Sequence, residues 1–192
     1  DELRDGLRGP FNDDKKGGFM TGVPRKEMSV KFGLVGAIKH PQILNDSVNY
    51  SKSPWALQPT QMISYVSCHD DMCLVDRIKS CMPDASPAVI AAIDKLAVTA
   101  VFTSQGVPFI YAGEEIMRDK KMVHNSFESP DAVNAINWNN KTLYKDVFDY
   151  YKGLIAMRKA HPAFHMGNAD LVRKIMEFLP VAGSNLIVFR LK

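Results

Sequence analysis

Cysteine is scarce in this chain: Cys68, Cys73 and Cys81 are the only three in 192 residues. An odd count confined to 14 consecutive positions excludes a disulfide framework. No Cys-x-x-Cys pair occurs, and Cys73 falls in a helical pattern. A zinc site built from Cys68, His69, Cys73 and Cys81 therefore gives way to buried free thiols. Long apolar runs are also missing, since no segment approaches the ~20 residues of a membrane span. No basic start is followed by an apolar run, so the pattern of a signal peptide is not found. Charge of one sign is lacking as well. The 24 basic and 21 acidic residues leave a net charge of +3, scattered rather than striped. Neither nucleic acid nor an anionic membrane is expected as a partner. Phosphate-cradling Gly loops, a nucleophile elbow and a dinucleotide fingerprint are absent too.

What is present is ordinary globular material, 46% hydrophobic, 23% charged and 9% aromatic. The length suits one domain with a sizeable core. The chain opens Asp1-Glu2-Leu3 without Met and closes inside a strand pattern, Leu186 to Lys192, so both ends are expected to be cuts.

The best helix signal begins at Ser86, a candidate N-cap, with Pro87 at the first helical position. Val89, Ile93, Leu96, Ala97, Ala100 and Val101 follow at helical spacing, and Gly106 is expected to stand past the end as a stop. Apolar runs at 61–67 and 107–111 flank this helix and predict two parallel strands joined by a right-handed crossover. Shorter helices are predicted over 1–8, 26–39 and 72–81, and another over 144–160, closed by His161-Pro162. Residues 40–60 and 116–144 are read as long loops, a length often tied to function. Residues 171–179 and 185–192 are read as two antiparallel strands. That change of pattern predicts a domain boundary near 163–169.

Both predicted parallel strands end in polar groups. The first ends in His69-Asp70-Asp71, the second in Ala112-Gly113-Glu114-Glu115. In parallel α/β folds the working groups sit at that carboxyl edge. Simpler roles exist for each residue. Asp70 suits a helix cap or a pair with Arg77, and His69 a satisfied core histidine. A metal-dependent hydrolase using His69, Asp70 and Asp71 is the remotest option. Glu114 and Glu115 are adjacent on extended backbone and point to opposite sides, so they are expected to hold loop backbone or Arg118.

Four segments in order resemble the α-amylase family of glycoside hydrolases, family 13, and within it the type I pullulanases. His69-Asp70 matches the family's region at the end of the seventh barrel strand. Ser104-Gln105-Gly106-Val107-Pro108 through Gly113-Glu114-Glu115 matches the eighth. Asn125 to Asn134 resembles the segment after it, and Asp1 to Gly9 the helix after the sixth strand. The resemblance implies a C-terminal portion of a (β/α)8 TIM barrel in residues 1–165. The start of a C-terminal β-sandwich domain is implied in residues 166–192.

The implied chemistry is retaining hydrolysis of an α-glucan, with debranching at α-1,6 linkages of pullulan, glycogen or starch the foremost expectation. Such enzymes need a nucleophile and a general acid about 5–5.5 Å apart. In the family both precede the segments matched here, so the chain alone is expected to be inert and to cover its strand edges by self-association. Asp70 corresponds to the family's third carboxylate, a transition-state stabiliser binding sugar hydroxyls. His69 would donate to the same sugar. Asp71 stands where pullulanases commonly carry Asn, and is taken as substrate-binding or simply solvated. Asp131 and Asn134 fall where the family lines its cleft, though an Asx turn beside Pro130 also suits them. Phe127 stands where Tyr is frequent. Trp55 is a candidate sugar platform, and Trp138 is expected to pack under its loop. No cofactor is implied. Calcium occurs in relatives, but Asp13-Asp14 is not by itself a binding loop. A non-catalytic carbohydrate-binding or structural remnant of such a barrel is the alternative. Compartment stays open, since relatives occur inside and outside the cell.

Overall fold

The longest helix shows how the sequence builds the fold. In the computed structural model, which describes residues 1–192, α4 runs Pro87–Thr103. The Ser86 hydroxyl accepts from the Val89 N–H, as the cap predicts. Ile90, Ile93, Ala97 and Val101 form its buried stripe. α7, Lys145–Ala160, crosses it with Val147, Tyr151, Leu154 and Arg158 buried at the same spacing. Arg158 is buried because it works on α4: its guanidinium donates to the carbonyls of Phe102, Ser104 and Gly106 at 2.6–2.9 Å. Those carbonyls at and beyond the helix end have no partner within the helix, so a cation there serves both hydrogen bonding and the helix dipole.

The strand–helix–strand unit forms with parallel pairing, but its ladder is shorter than the apolar runs predict. β1 is Ile63–Ser64 and β2 is Val107–Pro108, with Ile63 opposite Val107 and Ser64 opposite Pro108. Val107 N–H donates to Met62 O at 2.8 Å and Phe109 N–H to Ser64 O at 2.9 Å. Beyond those bonds neither strand has a second neighbour, and Pro108 has no N–H to donate. Gly106 is not the helix stop, since the helix is already closed at Ser104. Its small size is needed elsewhere. A Cβ there would lie 2.4 Å from Ser64 Oγ and 2.8 Å from Met62 O, inside the contact between the two strands.

Around this unit lie α1, Glu2–Arg8; α2, Glu27–Leu34; and α3, Leu74–Cys81. Phe32, Val35 and Ile38 are buried as their spacing predicts. The 116–144 stretch is less irregular than expected. It holds α5, Asp131–Asn134, and α6, Asn140–Leu143, after a turn at Glu114–Ile116.

The strand expected over 171–179 is a correction. Its first part is α8, Ala169–Ile175, capped by Asn168 accepting from Leu171 N–H at 3.0 Å. Ala169, Val172 and Met176 are buried at helical, not alternate, spacing. Only β3, Met176–Leu179, is extended, and it pairs antiparallel with β4, Val188–Leu191. α8 and this ribbon join the same apolar cluster as the other helices, α8 through Ala169 and Val172 and the ribbon through Met176 and Phe178. Gln42 clasps it, accepting from Phe178 N–H and donating to Phe178 O, each at 2.8 Å. No helix is long and apolar enough to cross a membrane.

Candidate functional site

Past β1 the chain runs through buried Val66 and Ser67 and then emerges. His69 and Asp70 stand side by side in solvent, with side chains 78% and 71% exposed and Nε2 3.2 Å from Oδ1. Asp70 neither caps α3 nor pairs with Arg77, and His69 is no core histidine. Arg77 is buried elsewhere, holding Asp14 at 2.7 Å and the carbonyls of Pro10, Asp13 and Lys16.

Asp71 corrects both expectations for it. It is neither solvated nor free to meet a ligand, since its side chain is 2% exposed. Its backbone is left-handed, at φ 66°, a conformation Asp tolerates better than most residues. Oδ1 accepts from the next backbone N–H, of Met72, at 2.7 Å, and lies 2.9 Å from His124 Nε2. Oδ2 takes Arg8 Nη2. Asp71 therefore turns the chain and anchors it, which leaves His69 and Asp70 projecting.

Asp14, Asp71 and His124 bring three possible metal-ligand atoms within 4.8 Å of one another. Calcium does not fit them. It asks for six to eight oxygens, whereas here one donor is a nitrogen. Both carboxylates already carry a guanidinium, Arg77 on Asp14 and Arg8 on Asp71. Two positive charges cancel two negative ones, so the cluster is an ion network rather than a cation cage.

A second group of residues, centred on Lys120, which no sequence pattern singles out, ties this turn to the loop after β2. Lys120 is buried; its ammonium donates to Ser126 Oγ at 2.7 Å, lies 3.5 Å from His69 O and sits 5.0 Å from the Tyr111 ring centre. Arg118 approaches the same ring at 4.7 Å and donates to Ala112 O and Asn134 O. The Ser126 hydroxyl in turn donates a hydrogen bond to Asn134 Oδ1 at 2.8 Å. The Asn134 amide donates to Ser126 O and Ser129 O at 2.7 and 2.8 Å. Every polar atom of the Asn134 side chain is thus spent inside the loop, which corrects its assignment to substrate binding.

Asp131 remains exposed. It lines a cleft of about 410 Å³ with Arg118, Asp119, Lys121, Asn137 and Asn140. Phe127 is exposed, and Trp138, expected under the loop, is 65% exposed. Trp55 is exposed too, in a larger cleft of about 900 Å³ beside Arg4, Tyr50, Gln61 and Tyr65.

Glu114 and Glu115 bond loop backbone, accepting from Tyr111 N–H at 3.4 Å and Gly113 N–H at 3.0 Å; Arg118 is not their partner. Cys73 is an inert thiol. Burial, with Asp76 beside it, pushes it up to about 12, and its Sγ donates to Asp76 at 3.0 Å.

No family model matches the chain. It is 30% identical over 191 residues to the pullulanase of Bacillus subtilis, an alignment covering 100% of this chain and 25% of that protein. A crystal structure of Paenibacillus barengoltzii pullulanase, in complex with maltohexaose and alpha-cyclodextrin, superposes with a TM-score of 0.88 at 36% identity. That match covers 98% of this chain and 28% of that one. Pullulanase type I from Bacillus subtilis, complexed with maltose, superposes at a TM-score of 0.90, 30% identity and coverage of 99% and 25%. The chain thus spans about a quarter of the length of these relatives. Agreement along the whole chain, in sequence and in backbone, places it in the pullulanase family of glycoside hydrolases, as a partial region of that family's polypeptide.

Proposed function

We propose that this chain is the part of a debranching α-glucan hydrolase that delivers His69 and Asp70 to the sugar at the cleavage point. The observation that carries this is the contrast along three adjacent residues. Asp71 is buried and fully engaged, while His69 and Asp70 are exposed, paired and held out at a strand end. An exposed carboxylate beside an imidazole can accept from one sugar hydroxyl while the ring donates to another. A charge-assisted bond of that kind is stronger than a neutral one. If it tightens as the sugar ring distorts toward an oxocarbenium ion, it raises the rate rather than mere binding.

On this reading the nucleophile and the general acid come from other parts of a longer polypeptide. Residues 1–165 belong to the closing portion of a (β/α)8 barrel and 166–192 to the start of a β-sandwich domain. Asp131 and the exposed rings of Phe127 and Trp138 contact outer sugar units. The maltooligosaccharide complexes of the relatives support an α-glucan partner, and the debranching assignment follows their name.

The test is hydrolysis of pullulan and of maltooligosaccharides by the full-length polypeptide, by this chain alone and by full-length Asp70→Asn. The expected result is cleavage of pullulan by the full-length protein, none by the chain, and a loss of at least about 100-fold in kcat for D70N, the scale of removing one transition-state contact. Full activity in D70N would remove Asp70 from the chemistry. Sugar binding without turnover by the full-length protein would favour the carbohydrate-binding alternative.

A further inference from the structure

Three polar side chains meet in the apolar space between α4, α7 and the turn after β2. Asp94 lies in the middle of α4, Glu114 opens the turn, and Tyr151 comes from α7; all three are buried. The Tyr151 hydroxyl lies 2.9 Å from Asp94 Oδ1 and 3.4 Å from Glu114 Oε1. Neither carboxyl has an ion-pair partner. Lys95, next to Asp94, turns away to Asp146 at 2.6 Å. Glu115 is spent on Gly113 N–H. Lys152 and Glu115 line the small cavity beside Tyr151 with Ile110, Phe148 and Ile155. Glu114 Oε2 receives only the Tyr111 N–H, and Asp94 Oδ2 has no partner.

A phenol has one hydroxyl proton. It can satisfy one of the two carboxyls; the other must bring a proton of its own or face the phenol oxygen with lone pair against lone pair. Two ionised carboxylates without a cation in this space would be far costlier than one. The shorter contact assigns the direction, with Tyr151 donating to Asp94 and Glu114 donating to the Tyr151 oxygen. We propose that Glu114, Tyr151 and Asp94 form a relay sharing one carboxyl proton. The relay clamps the start of the 113–118 segment to both helices and loosens when that proton is lost.

The electrostatics agree. Burial, with Asp94 nearby, raises Glu114 well above the usual carboxylate range, and burial raises Asp94 to about 7. A raised acid binds its proton in the folded state and not in the unfolded one over the interval between the two values. Stability from such a proton is present below about pH 4 and is lost as pH climbs through the folded value. The loosened segment carries Arg118 and leads to Lys120, the residues that tie Tyr111, Asn134 and the His69 carbonyl together.

The proposal is independent of the hydrolase assignment and is tested on this chain by urea unfolding between pH 5 and pH 9, with Glu114→Gln alongside. The Gln amide can donate to Tyr151 but cannot ionise. From pH 5 to 7 the unfolding constant of the wild type should rise relative to E114Q by about tenfold per pH unit, the signature of one proton. Infrared spectra at pH 7 should show the carbonyl band of protonated, buried acid in the wild type, and a clearly weaker band in E114Q, where Asp94 alone can carry such a proton. Parallel pH profiles in the two proteins would overturn the relay. Should E114Q not fold, the wild-type spectrum decides: without a protonated-acid band at pH 7 the proposal fails.

Discussion

At the residue scale, a single position separates anchor from candidate contact. His69 and Asp70 project because Asp71, one residue on, is pulled inward by Arg8, His124 and its own neighbour's N–H. The sequence shows three polar residues in a row and offers no sign of which is buried. Arg8 and His124 are 63 and 53 positions from Asp71 by simple subtraction, and nothing in their local pattern marks them. Asp71→Asn tests the anchor. Asn keeps the left-handed backbone and the bond from Met72, but leaves the buried Arg8 without a counter-charge. The expected loss is about 3–5 kcal/mol, the cost of breaking a buried pair from one side. Equilibrium urea unfolding at pH 7 measures it, and a loss below about 1 kcal/mol would show that the Arg8 charge is satisfied by backbone carbonyls instead.

At the scale of elements, signals written in neighbouring residues were legible and those requiring a distant partner were not. The cap Ser86 and the leading Pro87 placed the start of α4 to the residue. Gly106 was recognised as special for the wrong reason: it gives room for Ser64 Oγ and Met62 O, which come from a different strand. These two positions predict an ordering. Ser86→Ala removes one exposed, 3.4 Å cap bond and should cost about 0.5–1 kcal/mol. Gly106→Ala drives a methyl into the parallel pairing and should cost about 1–3 kcal/mol. Thermal melts of both variants check this; equal melting temperatures would mean that the strands part without cost. The misread α8 has the same origin. Leu171 and Val172 favour extended structure locally, but burial of Ala169, Val172 and Met176 on one side rewards a helix.

For the whole molecule, the sheet is the incomplete part. β1 and β2 have only each other, and Ile63 is 60% exposed, with Val107 and Phe109 also open. Unpaired edges bearing apolar side chains attract further strands. Isolated at micromolar concentration, the chain is therefore expected to sediment above its monomer mass of 21.5 kDa. Ile63→Lys with Phe109→Lys should shift it toward the monomer. A monomeric wild type would show that the edges are protected without association.

The sequence by itself determined helices α1 to α4 and α7, the parallel strand pair, the antiparallel ribbon and the family, because caps, apolar spacing and ordered motifs are all carried by residues near one another. Tertiary structure alone decided what each polar residue does. Whether Asp71 faces solvent, whether Asn134 has an amide to spare, and whether Trp138 is covered depend on groups brought in from remote segments. A charged or polar side chain takes its role from the partners that replace water around it, and those partners are assembled only when the chain has folded.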